Sequence, residues 1–286
     1  MQPGKFLLLD GKLLENDAPV LSANNRSFRY GDGFFETIRW EGDTALLWHY
    51  HVERFFDSLR KLSFEVPTHW NDAFLRDAIA RIVKKNGHDV AARVRCTVFR
   101  GEGGLYDANN NQPHLLIQTW PLQNTGFTLN ANGLDICIYR NSVKAADNFS
   151  ALKTNSALPY VLAATYAKKH KCNDSILLNQ WNRVTDTSIA NIFYIDKKNI
   201  IYTPSLSEGC VSGVMRKYII EKLEKIGLTL IEQPVSTADL ASASGVFLTN
   251  AVRGIQWVKS LDTAFYSINF VAEITKKIFL EKDNSK

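Results

Sequence analysis

Two hydrophobic periods take turns along this chain, and neither runs long enough to claim it. From His51 to Leu62, Val52, Phe55, Phe56, Leu59 and Leu62 recur at helical spacing. From Arg93 to Phe99 the pattern changes to strict alternation, with Val94, Cys96 and Val98 on one face and Arg93, Arg95 and Thr97 on the other. Residues 6–9 and 12–14 flank Asp10-Gly11, a hairpin signal, and 114–120 reads as another strand. Later strands at 134–139, 175–179, 189–195 and 245–249 interleave with helices at 156–170 and 214–226. The helix from Val214 follows Gly209 and Gly213, aligns Met215, Tyr218, Ile219, Leu223 and Ile226, and stops at Gly227. Alternation of this kind predicts a mixed α/β (α+β) fold. The turn-rich stretch Pro121-Leu-Gln-Asn-Thr-Gly126 predicts a division into a smaller α/β domain over 1–118, a linker over 119–127 and a larger α/β domain over 128–286.

Composition narrows the function classes. With 45% hydrophobic and 22% charged residues in 286, the chain is neither disordered nor collagen-like and has length for a sizeable core. The net charge of +5 is spread thinly, which suits a small anionic ligand and argues against a nucleic-acid partner. Phe6–Leu9 is broken by Asp10, and Ala157–Ala167 is short and carries Pro159, so no membrane span is expected. The N-terminus has no basic region followed by an apolar core, so no signal peptide is read. Cys96, Cys137, Cys172 and Cys210 are far apart and the six histidines show no ligand spacing. The expectation is a cytoplasmic protein without disulfide or metal; Lys168-Lys-His-Lys171 reads as the solvated end of a helix.

Four features carry chemistry. Gly31-Asp32-Gly33 is a turn entering an aromatic strand, within Arg26-Ser-Phe-Arg-Tyr-Gly-Asp-Gly-Phe-Phe-Glu-Thr37. Arg54 sits at the edge of the 51–62 apolar stripe. Gly209-Cys-Val-Ser-Gly-Val214 leads into a helix N-terminus, where free N–H groups and the macrodipole favour phosphate. Lys153, in Ala151-Leu-Lys-Thr-Asn-Ser-Ala-Leu-Pro159, stands at a loop-to-helix junction in apolar company, a setting open to a Schiff-base lysine.

Taken in order with Val184-Thr-Asp-Thr-Ser-Ile-Ala-Asn-Ile-Phe193, Ser212-Gly-Val-Met-Arg216 and Phe247-Leu-Thr-Asn-Ala251, these motifs resemble the class IV aminotransferase family. These are the fold-type IV enzymes of pyridoxal 5′-phosphate, which include branched-chain and D-amino-acid aminotransferases and 4-amino-4-deoxychorismate lyases. The resemblance runs from Phe6 to Val258 and implies the two-domain fold-type IV architecture. It makes Lys153 the lysine that holds the cofactor and moves protons, and Arg54 a bidentate partner of the cofactor phosphate. Ser212, the N–H groups of Val214 and Met215, and those near Asn250 and Ala251 would complete the phosphate site. Asp186 falls where the family has a glutamate paired with the pyridinium nitrogen, one methylene shorter. Asn155 follows Lys153 by two residues where many members place it three after. For the carboxylate of an amino-acid-like substrate, Arg29, Arg95, Arg100 and Arg253 are candidates that the sequence does not separate. In some lyases an arginine follows the glycine pair at 103–104; here Leu105 does. The motifs look closest to the lyase branch, with an amino-acid aminotransferase as the alternative, and the family implies a homodimer.

Overall fold

The computed structural model describes residues 2–279 and divides the chain into two compact units. The first unit takes the residues up to Gly126 together with Leu152–Ala157. Its sheet is built from β1 (Phe6–Leu9), β2 (Lys12–Glu15), β3 (Gly33–Glu41), β4 (Thr44–Ala45), β5 (Ala91–Arg100) and β6 (Pro113–Leu122). The order is β2-β1-β6-β5-β3-β4, with every pairing antiparallel. Helices α1 (Arg26–Tyr30), α2 (Trp48–Lys61) and α3 (Asp72–Lys85) accompany it. Alternation decides which sheet face is covered. Phe34, Ile38, Val94, Cys96 and Val98 join Phe55, Leu59, Leu75, Ile79 and Ile82 of the helices in one core. Phe35, Arg93, Arg95 and Thr97 occupy the alternate positions, and all four are half-buried.

The second unit holds Phe127–Ala151 and the described residues from Leu158 onward. Its strands are β7 (Leu134–Lys144), β8 (Asp174–Asn179), β9 (Val184–Thr187), β10 (Asn191–Ile195), β11 (Ile201–Pro204), β12 (Leu230–Gln233), β13 (Gly245–Asn250), β14 (Gly254–Leu261) and β15 (Ala264–Phe265). They pair in the order β12-β11-β10-β13-β14-β7-β8-β9, with β15 on β14; β7 runs parallel to both β14 and β8, and β11 parallel to β12. Helices α4 (Leu158–Lys169), α5 (Val214–Lys225), α6 (Thr237–Ser242) and α7 (Asn269–Phe279) complete the unit. β8, β9 and β10 are buried at every position, so none alternates with solvent: β10 reads as a largely apolar run, while β9 buries Thr185, Asp186 and Thr187.

The mixed α/β class is the one the sequence predicts. The boundaries differ in two ways. Strand β6 runs on through Trp120 to Leu122, because Ala91 and Ala92 of β5 extend the ladder to Leu122 and Pro121, so the first half of the expected linker is sheet. The segment with Lys153 groups with the first unit rather than with the later residues. Its backbone adds to the start of β3: Thr154 bridges Phe34, the Phe35 N–H donates to the Lys153 carbonyl, and the Asn155 N–H donates to the Gly33 carbonyl. No helix among the described residues is long and apolar enough to cross a membrane.

Candidate active site

In the first unit, the strand-like addition of 153–155 to β3 fixes where Lys153 points. Thr154 lies opposite Phe34, so Lys153 falls on the Phe35 side. Its Nζ stands 4.5 Å from the Phe35 ring centroid. Gly33 makes the close approach feasible: at φ +150° it adopts backbone that other residues avoid, and a Cβ there would run into the Val98 carbonyl and the Asn155 side chain. Asn155 locks the segment by donating to Ser27 Oγ at 3.0 Å and to the Val98 carbonyl at 3.1 Å.

On the core face, Glu36 is 1% exposed and receives Arg54 through Nε at 2.7 Å and Nη2 at 2.7 Å. His51 Nδ1 lies 2.8 Å from Glu36 Oε2. Burial alone would raise the Glu36 carboxyl, but the Arg54 charge and hydrogen bonds, with His51 behind them, outweigh it and bring it down to about 2. Burial pushes His51 below its ordinary value against the pull of Glu36. The sequence reading assigns Arg54's bidentate fork to a phosphate. In the structure its Nε–Nη2 edge is closed on Glu36 instead, because a carboxylate cut off from water needs its own counter-ion.

The four arginine candidates separate. Arg100 is buried and donates to Asp32, to Asn111 Oδ1 at 2.7 Å and to the carbonyls of Leu62 and Ser63, so it braces the unit. Arg26 shares Asp32 and holds the carbonyls of Gly103, Leu105 and Tyr106. Arg29 is exposed, stacked 5.1 Å from the Tyr30 ring centroid. Arg253 lies in the second unit and is also exposed. Arg95 lies beside Phe35, its guanidinium 3.6 Å from the ring centroid.

In the second unit, Asp186 on β9 is 2% exposed. Its Oδ2 accepts from Lys144 Nζ at 3.2 Å, Tyr160 Oη at 3.1 Å and the Val211 N–H at 3.0 Å, and Oδ1 accepts from Thr185 Oγ1 at 3.0 Å. Burial and the Asp186 charge together hold the Tyr160 phenol protonated well above its ordinary range. Neither Lys144 nor Tyr160 carries a sequence signal that marks it as a partner of Asp186. They stand on β7 and α4, and no local pattern ties them to β9.

Asn191 joins the remaining residues. It pairs with Thr249 in the β10–β13 ladder, and its side chain donates to the Val211 carbonyl at 2.8 Å. A Cβ on Gly213 would collide with its Oδ1, so glycine lets α5 start close to that strand. The Ser212 N–H donates to the Ala151 carbonyl at 2.9 Å. Gly213 offers α5 no side-chain cap, and no acidic residue occupies the first turn around Val214 and Met215. Thr249 Oγ1 is buried with no hydrogen-bond partner among the described residues. Asn250 Oδ1 accepts from the N–H groups of Val252 and Arg253, which turns the chain just after Ala251. The Leu-Thr-Asn-Ala run points to Asn250 and Ala251; burial of its hydroxyl is what singles out Thr249.

The first unit thus holds a lysine anchored by strand addition, and the second a helix N-terminus, an orphaned buried hydroxyl and a buried carboxylate. Residues 33–261 match the family described as amino-transferase class IV, and the chain belongs to that family, whose members are pyridoxal phosphate enzymes. Among curated relatives, the aminodeoxychorismate lyase of Bacillus subtilis (strain 168) is 29% identical over 254 residues, covering 86% of this chain and 83% of that protein. A protein named as a putative branched-chain-amino-acid aminotransferase of Methanocaldococcus jannaschii is 25% identical over 275 residues, covering 95% and 93%. Among solved structures, the branched-chain aminotransferase of Thermoproteus uzoniensis superposes with a TM-score of 0.85 at 21% identity, covering 96% of this chain and 93% of that one.

Proposed function

We propose that the chain binds pyridoxal 5′-phosphate, removes the α-proton of an amino-acid-like substrate, and releases pyruvate and p-aminobenzoate from 4-amino-4-deoxychorismate. The residues fit the cofactor on the evidence of Thr249: a buried hydroxyl without a partner, next to an uncapped helix start, is a donor set that a phosphate would satisfy. Lys153 would hold the cofactor and move the proton. The N–H groups of Val214 and Met215, the Thr249 hydroxyl, Ser212, and the backbone at Asn250 and Ala251 would take its phosphate. Arg54, set by Glu36, would add positive potential from its Nη1 side. Asp186 would face the ring nitrogen. When bound, the cofactor supplies an electron sink for the negative charge left by the departing proton.

The observation that favours the lyase is the company Asp186 keeps. A carboxylate partly neutralised by Lys144 holds a ring-nitrogen proton less firmly, which weakens the sink. Expulsion of pyruvate, driven by formation of an aromatic ring, tolerates a weaker sink better than a path in which charge must persist until reprotonation. The lyase of Bacillus subtilis supports the same reading. The aminotransferase alternative rests on the archaeal relative of comparable identity. Incubation with aminodeoxychorismate, and separately with pairs of amino and 2-oxo acids, tests the choice. Stoichiometric pyruvate and p-aminobenzoate are expected; amino-group transfer without pyruvate release would put the aminotransferase in its place. The family resemblance further supports a homodimer, which sedimentation would test.

A further inference from the structure

Two cysteines that stand far apart in the sequence meet in the second unit, where the chain leaves α4 and returns to the sheet. Residues of β7 alternate between its two faces: Ile136 and Ile138 pack into the sheet's larger apolar core, while Tyr139, on the same side as Cys137, packs against Ala163 of α4. Helix α4 closes with Lys171 in a left-handed turn, φ +59°, and the Cys172 N–H donates back to the Ala167 carbonyl at 2.9 Å. The following residue is clamped to β7: the Asn173 N–H donates to the Asp135 carbonyl at 2.7 Å, and Asn173 Oδ1 accepts from the Asp135 N–H at 2.8 Å. Cys172 is thereby held beside β7, within hydrogen-bonding reach of the Cys137 side chain. Both thiols are free; Cys137 is buried and Cys172 is partly exposed. Cys137 Sγ lies 3.8 Å from the Asp174 carbonyl oxygen and Cys172 Sγ 3.7 Å from that of His170, contacts too weak to fix either sulfur. Lys168, Lys169, His170 and Lys171 are all exposed just ahead of Cys172, so its approach is cationic.

The geometry points to Cys172 and Cys137 as a redox pair that closes to a disulfide on meeting a small disulfide that carries carboxylates, such as oxidised glutathione. Cys172, the accessible thiol, acts first. As thiolate it attacks one sulfur of the small disulfide, a mixed disulfide forms on the protein, and the other sulfur leaves as a thiolate that takes up the released proton. Cys137 then gives up its proton and attacks Cys172 Sγ; the protein disulfide forms and the second small thiol departs with that proton. Two protein thiols are oxidised by two electrons, and one small disulfide is reduced to two thiols. Burial, with the Cys172 side chain beside it, pushes the Cys137 thiol up to about 12, so little of it is thiolate at neutral pH and the second step is the slower one. The bridge would fasten the end of α4 to β7, the two elements whose Tyr160 and Lys144 hold Asp186. This pairing does not depend on which reaction the chain performs.

Equilibration of the folded, cofactor-loaded protein in mixtures of oxidised and reduced glutathione, followed by acid quench, alkylation and peptide mass mapping, reads the pair. The parent should yield a linked peptide that joins Cys137 to Cys172 and disappears on adding dithiothreitol. Cys137→Ser should instead trap glutathione on Cys172, at a level about tenfold or more above that in the parent, and Cys172→Ser should leave Cys137 unmodified. Melting curves taken alongside keep the comparison to folded protein, and Cys137→Ala takes the place of Cys137→Ser if the buried hydroxyl unfolds the chain. Raising the salt from about 0.05 to about 0.5 M should slow modification of Cys172 severalfold, because the lysines draw in the anionic oxidant. Equal glutathione on Cys172 in the parent and the Cys137 variant, or a parent whose two thiols both stay alkylatable in fully oxidised glutathione, overturns the proposal. A rate indifferent to salt overturns the choice of an anionic oxidant.

Discussion

Asp186 has four hydrogen bonds on its two oxygens, three of them on Oδ2. A carboxylate has about four acceptor positions, so the room left for a ring nitrogen lies mainly at Oδ1. This bears on the shorter side chain, since Asp186 is held back by Lys144 and Tyr160 rather than reaching freely. Asp186→Asn should leave cofactor affinity within a fewfold of the parent, because the phosphate residues are untouched, while slowing hydrogen–deuterium exchange at the substrate α-carbon about tenfold or more. Each pKa unit lost from the ring nitrogen removes about 1.4 kcal/mol of differential stabilisation. Lys144→Gln should act in the opposite sense, raising the basicity of the ring nitrogen, visible in the nitrogen NMR shift of labelled cofactor. Parental exchange rates in Asp186→Asn would show that Asp186 does not serve the ring.

At the scale of elements, the decisive feature is the addition of residues 153–155 to the start of β3, made possible by Gly33. Gly33→Ala places a Cβ against the Val98 carbonyl at a φ of +150° and should destabilise the protein by more than about 1 kcal/mol. It should also diminish the visible absorption of a lysine-linked cofactor, since Lys153 rides on the displaced segment. Gly42→Ala is the control: φ is +53° and no atom lies within 4 Å, so melting should shift while the absorption per folded molecule stays constant. Unchanged absorption in folded Gly33→Ala would mean that strand addition does not position Lys153. What the sequence could reveal divides along the same line. The hairpin at Asp10-Gly11, the helix around 51–62 and the alternation of β5 are visible because their signals are local. Helix α3 had such a signal too: Asn71 caps it, and Leu75, Ile79, Ile82 and Val83 recur at helical spacing. The pairing of Thr154 with Phe34, and of Lys144 with Asp186, joins distant positions that carry no mutual pattern. Family resemblance points to Lys153 and Asp186 as candidates, yet packing alone reveals that Glu36 holds Arg54 and that Arg100 pairs with Asp32.

For the molecule as a whole, the Glu36–His51–Arg54 cluster writes itself into the dependence of stability on pH. Glu36 is lowered in the fold from 4.5 to about 2. A depressed carboxyl stabilises fully above its unfolded value, and that contribution is lost as pH falls toward the folded one, here between about 4.5 and 2, on the order of 3 kcal/mol. His51 is also depressed, so the unfolded chain takes up its proton first, and stability begins to fall as pH drops below 6.5. Both changes have the same sign, and they occupy different windows. The melting temperature should therefore decline gently from pH 7 toward 5 and steeply below 4.5. Glu36→Gln separates the two causes. It leaves the Arg54 guanidinium, 11% exposed, without its carboxylate and should cost about 3–5 kcal/mol near pH 7. It should also flatten the steep acid limb, because the group that titrates there is gone. Thermal melts from pH 7 to 3 on parent and variant provide the measurement. A parent whose melting temperature does not fall below pH 4.5, or a Glu36→Gln curve that runs parallel to the parent throughout, would mean that acid sensitivity arises elsewhere and that Glu36 is not the charge Arg54 depends on.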